Sequence, residues 1–416
     1  MKVLWITNIL FPEATARLYN NKEFKTSGGW MLGAAESLIS NHNIQLAVAS
    51  VSKDVKELTT FVGEKITHFI IPYGKGNLRI NKDYIPYWKH IRQVFNPDLV
   101  HIHGTEFTHG QAYLLAHGNE NVVISIQGLK SAYRYYHYGM SNLDIIANLT
   151  LRDILRRSFW QQKNSFKKSG EIEKSMIKTV KHVIGRTSWD RSRVWAINPS
   201  AKYHFCNEVL RTEFYTGEEW NLDTCCRYSI FLSQSSYPLK GLHQVLKAMP
   251  LILRHFPDTT IRIAGNDIIT RNTFRRWLRY SGYGKYIKHL ILKYNLKDKV
   301  CFVGNLNAEQ MKQEYLRANV FICPSSVENS PNSLGEAQLL GVPCIASYVG
   351  GIPDMMKEND ENLYRYEEVE MLAYKVCNIF TQVEVNRNMK QIAFNRHNSQ
   401  TNTNQLYTIY KSIIRK

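Results

Sequence analysis

Short, nearly unbroken apolar runs alternate along this chain with stretches whose apolar residues recur every three or four positions. The runs at 2–7, 44–50, 66–71, 98–102, 122–126 and 181–185 predict one series of strands, and those at 228–233, 260–264, 300–303, 319–323 and 342–347 a second. Continuous apolar runs suit strands covered on both faces. Between them lie helical stripes. In 242–256, Leu242, Val245, Leu246, Met249, Ile252 and Leu253 share one face, and Pro257-Asp258 ends the pattern. Strand and helix in alternation predict parallel, doubly wound α/β sheets. The two series are separated by the weakly patterned residues 187–227. This predicts two Rossmann-like domains, 1–206 and 207–385. A polar, helical tail, 386–416, is expected to pack back toward the first domain.

The first apolar run follows Lys2 and loosely imitates a secretion signal. Thr7 and Asn8 interrupt it, and a glycine pair and an amphipathic stretch follow, so it reads as a buried strand. No stretch approaches the roughly 18 uninterrupted apolar residues of a membrane span.

Composition narrows the class. The chain is 416 residues long, 44% hydrophobic and 21% charged, enough for a large packed core and against global disorder. Its seven cysteines form no C-x-x-C pair, and Cys301, Cys323 and Cys344 sit in strand-like runs. That argues against a zinc cluster or disulfide framework and for a reducing, cytoplasmic setting. The net charge of +18 suits nucleic acid, an anionic membrane surface or an anionic small substrate. Nucleic acid is demoted, since neither zinc-finger spacing nor an RNP-type aromatic box is present. Basic residues concentrate in 151–182, interleaved with Leu155, Phe159 and Trp160, and in 271–299, where nine face only Asp298. Each reads as a solvated helix face or as a membrane-surface patch.

The densest chemistry lies in 324–343. A strand ends in a polar loop holding Glu328, Asn329 and Ser330. A helix then starts near Asn332 or Ser333, either a good N-cap, and stops at Gly341-Val342-Pro343. Helix-terminal amides at the carboxyl end of a parallel strand suit phosphate. Glu336 lies in the first turn. Ser333-x-x-Glu336 reads as a capping box, and Glu328 alone reads as a solvated loop acid. Together, two acids flanking a helix start can reach ribose hydroxyls while the amides hold phosphate.

This Glu-x₇-Glu stretch resembles the signature of the retaining GT-B glycosyltransferases of family 4. Gly350-Gly351-Ile352-Pro353-Asp354 is similar to that family's Gly-Gly-Ile-Pro-Glu segment, and Tyr237-Pro238-Leu239-Lys240-Gly241 to its Lys-Gly element. Ile263-Ala264-Gly265, Phe302 to Leu306, Gly28-Gly29, His101-Ile102-His103-Gly104 and Gly185 to Asp190 also fit, in order, over nearly the whole chain. The resemblance implies a cleft between two domains, with the donor nucleotide diphosphate sugar on the second and the acceptor on the first. Lys240 would bind the diphosphate and Glu336 the ribose. Glu328 would hold the donor sugar and support the reacting centre. Asn329, Ser330, Asn332 and Ser333 would offer groups to sugar and phosphate.

In the first domain, Gly28 and Gly29 would allow close backbone approach to the donor phosphate or acceptor. His103, at a strand exit, would contact the transferred sugar, with His109 a second candidate. Many family members carry a basic residue five positions before the lysine. Here that position is Ser235, and Arg186 is the candidate replacement cation. The loop with Tyr133, Tyr135, Tyr136, His137 and Tyr138 reads as packing or as a stacking surface for an acceptor. No Asp-x-Asp occurs, so Lys240, helix amides and Arg186 would neutralise the leaving group, without metal or cofactor.

The expected reaction moves a hexosyl group with retention onto a glycan or lipid-linked acceptor in cell-surface polysaccharide biosynthesis. It would take place in the cytoplasm, at or near the inner membrane face. The alternatives are a GT-B-shaped nucleotide-sugar epimerase and a non-catalytic binder of nucleic acid or membrane.

Overall fold

The computed structural model describes residues 1–19, 29–73, 82–136, 138–156, 158–271, 273, 280–357, 360–382 and 388–414. The chain divides into two units. The first comprises Met1–Arg134, Ser165–Leu210 and His397–Lys416. The second comprises Tyr135–Asn164 and Arg211–Arg396.

The first unit is built on β1 (Lys2–Thr7), β2 (Gln45–Ser52), β3 (Thr59–Val62), β4 (Ile66–Pro72), β5 (Leu99–His103), β6 (Val122–Ser125), β7 (His182–Gly185) and β8 (Lys202–Phe205). They pair in the order β3-β4-β2-β1-β5-β6-β7-β8. Every pairing is parallel except the β3–β4 hairpin. Successive side chains of β1 point to opposite faces. Leu4 and Ile6 enter one core with Trp88, Tyr113 and Ile124. Val3 and Trp5 enter another with Met31, Leu38 and Tyr410. Burial on both faces explains the unbroken apolar run of the first strand. The tail helix Ser399–Ile414 belongs to this unit, and the Trp5 Nε1–H donates to Tyr410 Oη at 3.0 Å.

The second unit holds β9 (Cys226–Leu232), β10 (Thr260–Ala264), β11 (Val300–Gly304), β12 (Ala318–Cys323), β13 (Cys344–Ser347) and β14 (Leu363–Tyr364). Their order is β11-β10-β9-β12-β13-β14, all parallel. One face packs on the helix Leu242–His255, whose predicted stripe buries Leu242, Val245, Leu246, Met249 and Ile252. The other face is aromatic, with Phe231 and Phe321 against Tyr315 at 5.1 and 5.2 Å between ring centres.

Three strands escaped the sequence reading, each for a physical reason. β3 is an antiparallel edge strand with alternating exposure. β8 is an edge strand too, with Lys202 and Phe205 exposed, so its apolar run is broken. β14 is two residues long. All seven cysteines are free thiols. Among the described residues no helix is long and apolar enough to cross a membrane.

Candidate active site

At the carboxyl edge of the second sheet, three segments far apart in sequence lock together. After β9 the chain makes a tight turn at Pro238–Lys240 and enters the helix at Leu242 through Gly241, which adopts φ 71°. A Cβ there would lie 1.7 Å from the carbonyl oxygen of Pro324, so glycine is required both for the left-handed backbone and for the close approach. After β12 the loop 324–331 is buried throughout, so its polar groups must find partners. Ser326 N–H donates to the Leu239 carbonyl at 2.8 Å. Ser347 Oγ donates to the Ser325 carbonyl at 2.5 Å. After β13, Gly350 at φ 54° would place a Cβ 1.8 Å from the carbonyl oxygen of Glu328, and Gly351 N–H donates to that same oxygen at 3.0 Å. The Lys-Gly element, the acidic loop and the Gly-Gly pair are thus one packed object.

Its side chains carry charge. Lys240 Nζ donates to Glu328 Oε1 at 2.5 Å, and Ser325 Oγ donates to the same oxygen at 2.9 Å. Burial alone would lower the lysine's pKa. The Glu328 charge and hydrogen bond outweigh it, and the pKa is raised. Lys240 is therefore a firm cation. Glu336, on the first turns of the helix Asn332–Leu339, is gripped through both oxygens by Arg211, Nε and Nη2 each at 2.7 Å. Arg211 lies over the Phe214 ring at 4.8 Å. Burial raises the Glu336 pKa and Arg211 opposes it. Each acid of the Glu-x₇-Glu pair thus has its own cation.

Two expectations about that helix are corrected. Its N-cap is Pro331, with no side-chain cap, rather than Asn332 or Ser333. The Ser333–Glu336 capping box does not form. A bidentate, charge-assisted pair with Arg211 is stronger than a neutral capping bond. Pro331 thus offers no side-chain bond to the first amides of the helix, which start at half-buried Asn332 and Ser333 and follow buried Asn329 and Ser330. Arg211 was missed because no linear signal marks it: it stands 125 residues from Glu336. Ser235 is fully buried, and its hydroxyl has no hydrogen-bond partner.

The first unit gathers a different set. His103, Arg186 and Ala34, the last on the helix that Gly29 opens, line one cavity of about 50 Å³ with Trp5, Ser125 and Glu208. His103 is buried, packs tilted against Trp5 with ring centres 4.5 Å apart, and meets Ser125 Oγ through Nδ1 at 3.4 Å. Burial lowers its pKa to about 3, so it is neutral near pH 7. His101 is neutral as well, through burial and the neighbouring His103. Tyr410 Oη accepts from the Trp5 Nε1–H at 3.0 Å and meets His101 Nδ1 at 2.6 Å. His109 is buried, and burial lowers its pKa to about 4. Arg186 is held by Glu208 at 2.5 Å and by the carbonyls of Ile126 and Gln127 at 3.0 and 3.1 Å. Tyr135 and Tyr136 are exposed, Tyr133 and Tyr138 half-buried. Gly28 and His137 lie outside the described residues.

Comparison with known proteins fits this arrangement. Residues 226–396 match the family described as glycosyl transferases group 1. An uncharacterized glycosyltransferase of Methanocaldococcus jannaschii is 25% identical over 189 residues, 44% of each chain. The chain spans less than half the length of the curated relatives it matches first. Among solved structures, the sucrose-phosphate synthase of Thermosynechococcus elongatus superposes with a TM-score of 0.72 at 15% identity, over 99% of both chains. HepE of Anabaena, solved in complex with UDP, does so at 0.61 and 14%, over 99% of this chain and 100% of that one. At these identities the likeness is one of fold. The two parallel-sheet α/β units have the GT-B fold of these structures.

Proposed function

We propose that this chain, a GT-B pair of Rossmann-like units with a glycosyl transferases group 1 match in the second, transfers a hexosyl group from a nucleotide diphosphate sugar to a glycan or lipid-linked acceptor. The observation that carries the proposal is the packed object at the second sheet's edge: Lys240 and Glu328 as an ion pair, with Glu336 following Glu328 on a helix whose N-cap, Pro331, makes no side-chain cap bond. Lys240 and the helix amides meet the diphosphate. Glu336, held in place by Arg211, takes the ribose hydroxyls. Glu328 takes the sugar hydroxyls. Charge developing on the leaving phosphate is met by preorganised donors, without a metal ion, and Arg186 is the proposed second cation. Neutral His103 exchanges hydrogen bonds with the transferred sugar and adds no charge. The relative solved with UDP favours uridine donors for a first trial.

The configuration is retained in this proposal, family 4 is its class, and cell-surface polysaccharide synthesis in the cytoplasm, at the inner membrane face, its setting. Donor consumption with and without candidate acceptors, with chelator in parallel, tests it. Consumption that requires an acceptor and survives chelator supports the proposal. Donor isomerised without acceptor marks an epimerase, and activity abolished by chelator and restored by a divalent ion overturns the metal-free step.

A further inference from the structure

Residues 141–156, in the second unit, are folded inside out. They form two short helices, Asn142–Ala147 and Leu151–Leu155. In an ordinary surface helix the acids face water and the aliphatic side chains face the core. Here Leu143, Ile146, Leu151, Ile154 and Leu155 are all between 56% and 83% exposed, while Asp153 is 8% exposed. Asp153 closes a capping box with Thr150, and its carboxylate accepts the Gly282 N–H at 2.6 Å. The other acid, Asp144, accepts hydrogen bonds from Ser141 and from the Tyr286 hydroxyl. These are the only two acids between 135 and 164, and both are engaged with the body of the unit. Thr150 Oγ1 to the Tyr280 carbonyl at 3.2 Å and Lys285 Nζ to the Ala147 carbonyl at 3.3 Å fasten the helices further. The inverted polarity is therefore anchored, not a frayed loop.

What remains outward is aliphatic and basic. Arg156 is exposed on the same stretch, Lys163 on the helix Ser158–Thr179 that follows it, and Lys288 on the helix Gly282–Lys293 that fastens it. Three residues join the two short helices, so the five aliphatic side chains stay within a short reach of one another. Clustered exposed aliphatics mark a binding surface. A face with exposed basic side chains, whose two acids are buried or half-buried and hydrogen-bonded, is complementary to an anionic one. Together these are the features of an interfacial element that inserts apolar side chains among lipids beneath basic ones.

We propose that 143–156 is a docking site for an anionic lipid bilayer. The proposal extends the proposed function, giving a lipid-linked acceptor's membrane its place on the chain, yet lipid binding is measurable without donor or acceptor. The test is flotation of the full chain with vesicles of phosphatidylcholine alone and with phosphatidylglycerol added at about one part in three. The triple variant Leu143→Ser/Leu151→Ser/Leu155→Ser and the single variant Arg156→Gln are run beside the wild type. Wild type is expected on the anionic vesicles only, the triple variant weakened at least about tenfold, and Arg156→Gln weakened a few fold. An unchanged melting temperature of each variant shows that folding is intact, as expected for exposed positions. Wild type that floats with neither vesicle, which would leave a protein partner as the occupant, overturns the proposal. So does equal binding to both vesicles, or a triple variant that binds as wild type does. A donor-binding measurement without lipid fails or succeeds independently and reports on the proposed function alone.

Discussion

The two sheets end in different chemistry at their carboxyl edges. The second unit's edge is ionic: Lys240 with Glu328, Arg211 with Glu336. The first unit's edge holds His101 and His103, both made neutral by burial, with Arg186 engaged by Glu208 and Lys130 by Glu106. A cation that stays charged when most of its solvent contact is gone suits a diphosphate. Neutral imidazoles that can give or take a hydrogen bond suit hydroxyl groups. In the proposed reaction, one edge is built for the charged leaving group and the other for uncharged sugar.

The largest expected effect breaks that contrast at its ionic end. Lys240→Ala should lower the turnover rate about 10²–10³-fold, whereas His103→Asn, which keeps a neutral hydrogen-bonding group, should cost less. Steady-state kinetics on both variants decide it, and equal losses would erase the distinction between the edges.

Backbone packing comes next. Gly350→Ala sets a Cβ against the Glu328 carbonyl and should destabilise the chain by about 3 kcal/mol or more. Gly304, at φ 81° with no atom near its Cβ position, should cost only about 1–2 kcal/mol on the same change. Denaturant titrations of the two variants measure the difference.

Arg211→Ala leaves a buried Glu336 carboxylate without its cation. The expected loss is about 3 kcal/mol, and Glu336→Gln in the same chain should restore part of it. No rescue would mean that Arg211 acts through packing alone.

The first unit offers the pH test. Glu173, fully buried, accepts the Lys130 and Ser131 N–H groups at 2.7 and 3.3 Å and the Ser131 hydroxyl. Burial raises its pKa to about 7 from the usual 4.5. Between those values the folded chain keeps a proton that the unfolded chain has released. Its contribution to stability is therefore complete below about pH 4.5 and is lost as pH rises through about 7. Melting temperature should fall from about pH 5 to about pH 8, and the fall should flatten in Glu173→Gln.

The same contrast explains what could be read in the sequence. The second unit's edge was legible because its chemistry sits in linear segments. The glycines at 241, 350 and 351 serve the backbone around Pro324 and Glu328, so their spacing survives as a pattern. The strands buried on both faces were legible for a similar reason, as at Val3 to Thr7. The rest was hidden by distance or by context. Arg211 meets Glu336 only after folding, and Tyr410 reaches His101 across 309 positions. The cap at Pro331 went unread because nothing local says that Glu336 will choose an arginine over its own helix start. Leu155 was legible only as part of a basic stretch that suits a solvated helix face or a membrane surface; that Leu143, Leu151 and Leu155 are all exposed depends on Asp153 turning inward to Gly282.

The most direct measurement is nucleotide-sugar binding by thermal shift, with UDP-, GDP-, ADP- and dTDP-sugars offered to the wild type and to Lys240→Ala. A ligand that binds the folded state raises its melting temperature by mass action. One donor family should raise the wild type's melting temperature, and the same donor should leave Lys240→Ala unmoved although that variant melts cooperatively. If no donor shifts the wild type, or if the variant shifts as far, the second unit's ionic edge is not a nucleotide-sugar site.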